Sequence, residues 1–260
     1  MNKPLIMGIL NITPDSFFDG GSYFSFEKGV QRGIELFHEG ADVLDIGGAS
    51  SKPGSLPISA QEEMDRVLPV IEKLKKEIPI PLSIDSCQPD VVRRAMEYGV
   101  EWINDIDGFQ NEKMLEIVSL YRPYVCSMHK KGTPFDMQLD PCYENIIEEI
   151  RAFFERTTQS LRSLGLEENK IFVDPGLGFG KDLNHNLSII KNLEKFQKFN
   201  LVVGLSRKSF LGRLLKKTPK QLLAATLFAN TICLMKGVKM IRVHDVSEHK
   251  DIIDLIDFFC

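Results

Sequence analysis

Short runs of apolar and β-branched residues alternate with longer stretches whose apolar positions recur every three or four residues, from one end of the chain to the other. The short runs predict strands at residues 5–9, 43–46, 82–84, 102–106, 124–128, 171–173, 201–205 and 240–243. Each is brief and mostly apolar, as a strand covered on both faces should be. The longer stretches predict helices at 25–38, 59–76, 89–98, 112–120, 143–164, 184–195, 209–235 and 246–258. The seventh should break near Pro219, because an interior proline removes a hydrogen bond and clashes with the preceding turn. Ser59 and Glu62 have the spacing of a capping box, and Gly40, Gly99, Gly165 and Gly237 stand where helices should stop.

Eight strand–helix pairs in series fit either an open doubly wound sheet or a closed barrel. The polar residues decide between them, because they gather just past the strands. Asn11 and Asp15 follow the first strand; Asp45 and residues 50–54 the second; Asp85 the third; Asn104 and Asp105 the fourth. His129, Asp174, Arg207 with Lys208, and Arg242 with His244 follow the remaining four. In a barrel the strand C-termini form one mouth, where the site chemistry sits. The expected fold is therefore α/β, a (β/α)8 TIM barrel forming a single domain over residues 1–260.

The 260 residues are 43% hydrophobic and 26% charged, enough for one large core. A net charge of −4 supplies no positive field for a nucleic-acid backbone, and no apolar run is long enough to span a membrane. The cysteines Cys87, Cys126, Cys142, Cys233 and Cys260 are odd in number and contain no CxxC pair, so they read as reduced thiols of a cytoplasmic protein. The five histidines lack the helical pairing of many zinc sites.

The first loop reads Asn11-Ile12-Thr13-Pro14-Asp15-Ser16-Phe17-Phe18-Asp19-Gly20-Gly21, longer and richer in acids and aromatics than a simple turn needs. Later come Ile84-Asp85-Ser86, Ile103-Asn104-Asp105, the glycine-rich stretch from Asp174 to Lys181, the stretch from Gly204 to Gly212, and Arg242-Val243-His244-Asp245. The glycine-rich stretch fits neither the dinucleotide fingerprint nor the P-loop, and reads as backbone allowing close ligand approach. Taken together and in order, these segments resemble the signature motifs of the dihydropteroate synthases.

The resemblance implies condensation of 6-hydroxymethyl-7,8-dihydropterin pyrophosphate with p-aminobenzoate, giving 7,8-dihydropteroate and pyrophosphate in folate biosynthesis, by a sulfonamide-sensitive homodimer. It implies that Asp85, Asn104, Asp174 and Lys208 hydrogen-bond the pterin, and that Arg242 stacks on it and reaches the pyrophosphate. His244 should contact a phosphate oxygen, and Mg²⁺ should bind through Asn11, a hard oxygen donor. Phe179 and Lys208 should line the aminobenzoate slot, with Ser209 at a helix start receiving the carboxylate. Ser51, Lys52 and Met128 join the substrate contacts, while loops bearing Asp15, Phe17, Asp19 and Pro53 close over the site. An arylamine is neutral at pH 7, so the barrier lies in expelling pyrophosphate rather than in activating the nucleophile.

The chain departs from the family pattern in three places. Where the family commonly has Glu-Ser-Thr-Arg-Pro-Gly, this chain has Ala49-Ser50-Ser51-Lys52-Pro53-Gly54, so a planar guanidinium fork becomes a point charge at Lys52. Lys130 and Lys131 replace a more usual Met-Gln pair and are expected to be solvated. The first strand starts almost at Met1, without the usual preceding hairpin, which fits one unit of a longer polypeptide fused behind the pterin pyrophosphokinase. Two other functions compete. One is the methyltetrahydrofolate-binding barrel of a corrinoid methyltransferase, which has no reason for a pyrophosphate site; the other is a non-catalytic pterin-binding paralogue, which the altered second loop would permit.

Overall fold

Eight parallel strands close on themselves in chain order: β1 (Leu5–Asn11), β2 (Val43–Gly47), β3 (Leu82–Asp85), β4 (Trp102–Asp105), β5 (Tyr124–Met128), β6 (Ile171–Asp174), β7 (Asn200–Val203) and β8 (Met240–Val243). The computed structural model describes residues 3–13, 21–50, 54–133, 136–139 and 141–259. Each strand pairs in parallel with its chain neighbours, and β8 returns to β1 through the register Leu5 with Met240. The expected barrel is what forms.

The outer layer holds α1 (Gly21–His38), α2 (Ala60–Glu77), α3 (Pro89–Glu97), α4 (Glu112–Tyr121), α5 (Ile146–Ser163), α6 (Leu183–Lys191), α7 (Ser209–Leu215), α8 (Leu223–Met235) and α9 (Val246–Phe259). The expected break near Pro219 is real: α7 ends at Leu215, and Pro219–Gln221 makes a single 3-10 turn before α8. Other boundaries move for local reasons. Helix α5 starts at Ile146 rather than 143 because Asn145 caps it, accepting from the N–H groups of Ile147 and Glu148. Helix α6 stops at Lys191, and residues 193–196 continue as a 3-10 turn. The capping box at α2 is half made. Ser59 accepts from the Glu62 N–H at 3.1 Å, but the Glu62 carboxylate pairs with Arg66 instead of returning to the cap.

Strand alternation divides the buried residues into two cores. Outward positions such as Leu44, Ile46, Leu82 and Ile84 pack on Val67, Ile71 and Leu74 of α2 and their counterparts round the ring. Inward positions Met7, Val43, Trp102, Cys126, Phe172, Val202 and Met240 fill the barrel itself. Trp102 stacks on Tyr124 at 4.6 Å between ring centroids and tilts against Phe172 at 5.0 Å. Each fully buried aliphatic side chain contributes roughly 1.5–3 kcal/mol. This plug closes one end, so polar side chains can converge only at the other, where the strands end. Among the described residues no helix is long and apolar enough to cross a membrane.

Candidate active site

One layer above the apolar plug, the inward positions turn polar. Arg242 at the end of β8 donates from Nε to Asp45 Oδ2 at 2.6 Å and from Nη2 to Asp85 Oδ2 at 2.6 Å, crossing the barrel to β2 and β3. From β4, Asn104 Nδ2 donates to Asp45 Oδ2 at 2.9 Å. Asp105, next in the chain, faces the other side of its strand and accepts from the N–H groups of Asp107 and Phe109, so it shapes the loop after β4 and stays out of the layer. Burial pushes the Asp85 carboxyl up to about 7, the Arg242 charge opposes this, and Asp45 adds to it. Burial disfavours the Arg242 cation, yet Asp45 and Asp85 outweigh it and hold the guanidinium above its ordinary range. Asp85 is thus both ion-paired and placed at the mouth. Asp45 Oδ1 is buried without a hydrogen-bond partner among the described residues, which leaves an acceptor in the layer.

A second group stands at the end of β6 and in the loop from β7 to α7. Asp174 Oδ1 accepts from the Gly176 N–H at 2.6 Å; burial raises its pKa, and the Gly176 N–H, Lys208, Lys181 and Arg242 counter that rise. Lys208, half-buried, is lowered to about 8 by burial, with Asp174 pulling upward and Arg242 downward. Its Nζ lies 4.1 Å from the centroid of the Phe179 ring, over the ring face. Met128 is buried beneath, and its Cγ would lie 3.2 Å from a Cβ at Gly176.

Just past β8, His244 shares two contacts with Ser206: the backbone N–H donates to Oγ at 3.2 Å, and Nδ1 lies 2.9 Å from Oγ. A hydroxyl that accepts from the backbone can give its own proton to Nδ1, which leaves Nε2 as the N–H of the ring. Burial lowers His244 to about 4, reinforced by Arg242 and Arg207, so the imidazole is neutral at pH 7. Arg207 adopts a left-handed backbone (φ 55) and is braced by Asp245, turning the chain so that Lys208 precedes Ser209 at the start of α7. Asn11 ends β1, half-buried, and its carboxamide makes no hydrogen bond among the described residues.

Asn11, Asp85, Asn104, Met128, Asp174, Phe179, Lys208, Ser209, Arg242 and His244 thus all lie at one mouth of the barrel. Asp15, Phe17, Asp19, Ser51, Lys52 and Pro53 lie outside the described residues. Lys130 departs from expectation, and Lys131 does so only in making fixed contacts. Lys130 pairs with Asp107 and its side chain is only 14% exposed, while Lys131 Nζ donates to the Cys142 carbonyl at 2.6 Å and covers the Tyr143 ring. Both tether loops, Lys130 from a largely covered position and Lys131 with its side chain still 55% exposed, so only Lys130 departs from the solvated expectation. The cluster Cys87, Asp105 and Asp107 brings three potential metal-ligand atoms within 4.8 Å of one another. Burial raises the Cys87 thiol well above its usual range, keeping it protonated, and the carboxylates are committed to N–H groups and Lys130.

A family model described as pterin binding enzyme matches residues 7–244, which include every expected site residue. Dihydropteroate synthase from Escherichia coli strain K12 is 37% identical over 259 residues, covering 99% of this chain and 92% of that protein. The Haemophilus influenzae dihydropteroate synthase is 38% identical over 255 residues, covering 97% of this chain and 93% of that protein. The chain belongs to the dihydropteroate synthase family. The crystal structure of the Yersinia pestis dihydropteroate synthase with a sulfonamide drug superposes with a TM-score of 0.93 at 37% identity, covering 99% of this chain and 94% of that one. The Xanthomonas albilineans dihydropteroate synthase in complex with 7,8-dihydropteroate gives 0.89 at 32% identity, with the same coverage. Within this dihydropteroate synthase barrel, three residues carry structural weight that the motifs did not assign: Asp45, Ser206 and Lys181. Asp45 had the clearest signal, an acid at an inward strand end; the partners of Ser206 and Lys181 are set by loops that sequence periodicity does not read.

Proposed function

We propose that the chain condenses 6-hydroxymethyl-7,8-dihydropterin pyrophosphate with p-aminobenzoate, releasing pyrophosphate and forming 7,8-dihydropteroate. The observation that carries this reading is the convergence of Asp85, Asn104, Asp174, Lys208 and Arg242 on one mouth above an apolar plug. A pterin presents adjacent N–H groups that suit the Asp174 carboxylate, and a ring edge with donors and acceptors that Asn104 and Lys208 can meet. Arg242, held charged by two carboxylates, can lay its guanidinium plane on the ring and direct charge at the pyrophosphate. Neutral His244 can donate its Nε2–H to a phosphate oxygen. With Lys52 these groups would offset charge building on the leaving group, while Phe179 and Lys208 hold the arylamine in line with the methylene.

The Asn11 carboxamide fits one position of a Mg²⁺ ion: it is a hard oxygen donor without a partner among the described residues, and Mg²⁺ completes its shell with phosphate oxygens and water. When bound, Mg²⁺ would neutralise pyrophosphate charge as a Lewis acid. The partner reading is a second copy of the chain on the outer face of α8. There Phe228 is 70% and Met235 63% exposed, with Leu227 and Ile232 half-buried beside them, an apolar stripe of the kind that marks an interface. The free thiols of Cys87, Cys126, Cys142 and Cys233 support placing the protein in the reducing cytoplasm.

The test is direct. Purified protein given the pterin pyrophosphate, p-aminobenzoate and Mg²⁺ should release pyrophosphate and form 7,8-dihydropteroate in equal amounts. Pterin binding without release would leave a non-catalytic pterin binder in its place.

A further inference from the structure

The loop from β6 to α6 is held by side chains that take its carbonyls one after another. Gln138 donates to the Gly178 carbonyl at 2.8 Å, Tyr143 Oη to that of Gly180 at 2.8 Å, and Asn186 to that of Lys181 at 3.3 Å. The Phe179 carbonyl is taken by Lys181 Nζ at 2.9 Å. The same ammonium lies 3.1 Å from His129 Nδ1 and donates to the His129 carbonyl at 3.2 Å. Lys181 is 0% exposed and forms no ion pair among the described residues. Burying an ammonium without a contact ion pair is costly, with only the Asp174 charge nearby to favour it, and here its three donors meet three acceptors drawn from only two loops.

The close approach has its own cause. A Cβ at Gly176 would stand 1.9 Å from the His129 carbonyl oxygen, and one at Gly180 would stand 2.3 Å from that of Lys131. The glycines therefore let the β6 loop lie backbone to backbone on the β5 loop, and Lys181 pins the two together where Phe179 leaves the loop toward Lys208. Burial, with Lys181 beside it, lowers His129 to about 3, so the ring is a neutral acceptor; burial also lowers Lys181 to about 7 against the upward pull of Asp174, and its ammonium form is the one that donates to all three acceptors.

Building on the proposed function, we propose that Lys181 is a positioning residue for the nucleophile: by tying the Phe179 carbonyl to His129 it sets the Phe179 ring against Lys208, and so fixes the wall of the aminobenzoate slot. A lysine serving only loop folding would, when removed, weaken both substrates together. A lysine that sets the slot wall acts on one of them.

The experiment is Lys181→Met in the full chain, with steady-state kinetics in both substrates and calorimetric binding of the pterin pyrophosphate. The expected result is a KM for p-aminobenzoate raised roughly 10- to 100-fold, as for other misplaced reacting groups, with pterin affinity kept within about twofold. Should Lys181→Met fail to fold, two His129 variants carry the test. Asn places an acceptor where Nδ1 stood and should keep the aminobenzoate KM within about threefold, whereas Leu offers none and should raise it about tenfold. A parental aminobenzoate KM in Lys181→Met, equal losses for both substrates, or indistinguishable Asn and Leu variants would overturn the proposal. A parent protein that does not turn over p-aminobenzoate at all defeats the proposed function, and this inference with it. Normal parental turnover with an unaffected Lys181→Met defeats only the positioning role.

Discussion

Asp174 and Lys208 carry the strongest expectations for single residues, because the buried Asp174 and the half-buried Lys208 lie close to each other's charge and to that of Arg242. Asp174→Ala should lower dihydropterin affinity roughly tenfold to a hundredfold, the worth of a hydrogen bond to a charged group, while the circular dichroism of the folded barrel stays parental. Unchanged affinity in a folded variant would remove Asp174 from the site. Burial lowers Lys208 to about 8, below its ordinary 10.5, with Asp174, Arg242 and Asp85 facing it. The ammonium is therefore present below pH 8 and lost as pH rises through it. Pterin affinity should fall by up to about tenfold per pH unit above 8 in the parent, and the fall should vanish in Lys208→Arg, whose charge persists. The same shift means the folded state binds fewer protons than the unfolded chain between about 8 and 10.5, so this group's contribution to stability rises with pH across that window. Lys52→Ala should weaken pyrophosphate-dependent binding while leaving affinity for the bare hydroxymethyl-dihydropterin within about twofold, and Lys52→Arg should match or exceed the parent, since a guanidinium makes paired contacts to phosphate. Equal turnover of Lys52→Ala and parent would place Lys52 on the solvated surface. Most of the described mouth residues were legible as chemistry-bearing types at strand ends. Their pairings were not, because Arg242 meets partners 197 and 157 positions away and nothing local encodes which carboxylates those are.

Elements were legible where a local rule governs them. Pro219 separates α7 from α8 as its missing N–H requires, and strand alternation sends Asn104 inward and Asp105 outward. Boundaries failed where a side chain chose between partners, as when Glu62 turned to Arg66 and left the α2 capping box half made. The β6 loop shows the cost of ignoring backbone approach. Gly176 has φ 66 and no room for a Cβ beside the His129 carbonyl, so Gly176→Ala should lower stability by roughly 2–4 kcal/mol in urea unfolding. A parental midpoint would mean that the β5 and β6 loops part easily, and would weaken the case for Lys181 as well. On α8 the outer stripe contrasts with an inner face where Thr226 Oγ1 accepts from the Arg207 N–H and Asn230 meets His249. Phe228→Glu should therefore turn a dimer into a monomer in sedimentation equilibrium without disturbing the inner contacts. A parent already monomeric at micromolar concentration would refute the second-copy reading.

At the scale of the molecule, barrel closure turns a list of strand-end residues into a site. Opening this strand order between β8 and β1 would leave them at opposite edges and keep Arg242 from reaching Asp45 and Asp85; closure brings β8 beside β1 and lets one guanidinium span the interior. The apolar plug of Trp102, Phe172, Met240 and their neighbours fills the barrel below, so ligand can enter only at the mouth where the charges converge. The periodic pattern was enough to predict this closure, since eight units with polar residues at one set of strand ends leave few other arrangements. The central claim is that this mouth performs a condensation rather than pterin binding or methyl transfer. The measurement that tests it most directly is a single-turnover reaction of the purified protein with dihydropterin pyrophosphate and p-aminobenzoate, following 7,8-dihydropteroate and pyrophosphate together. One equivalent of each per active site, abolished in Asp174→Ala, is the predicted result. Tight pterin binding with neither product, or methyl transfer from methyltetrahydrofolate to a corrinoid, would contradict it.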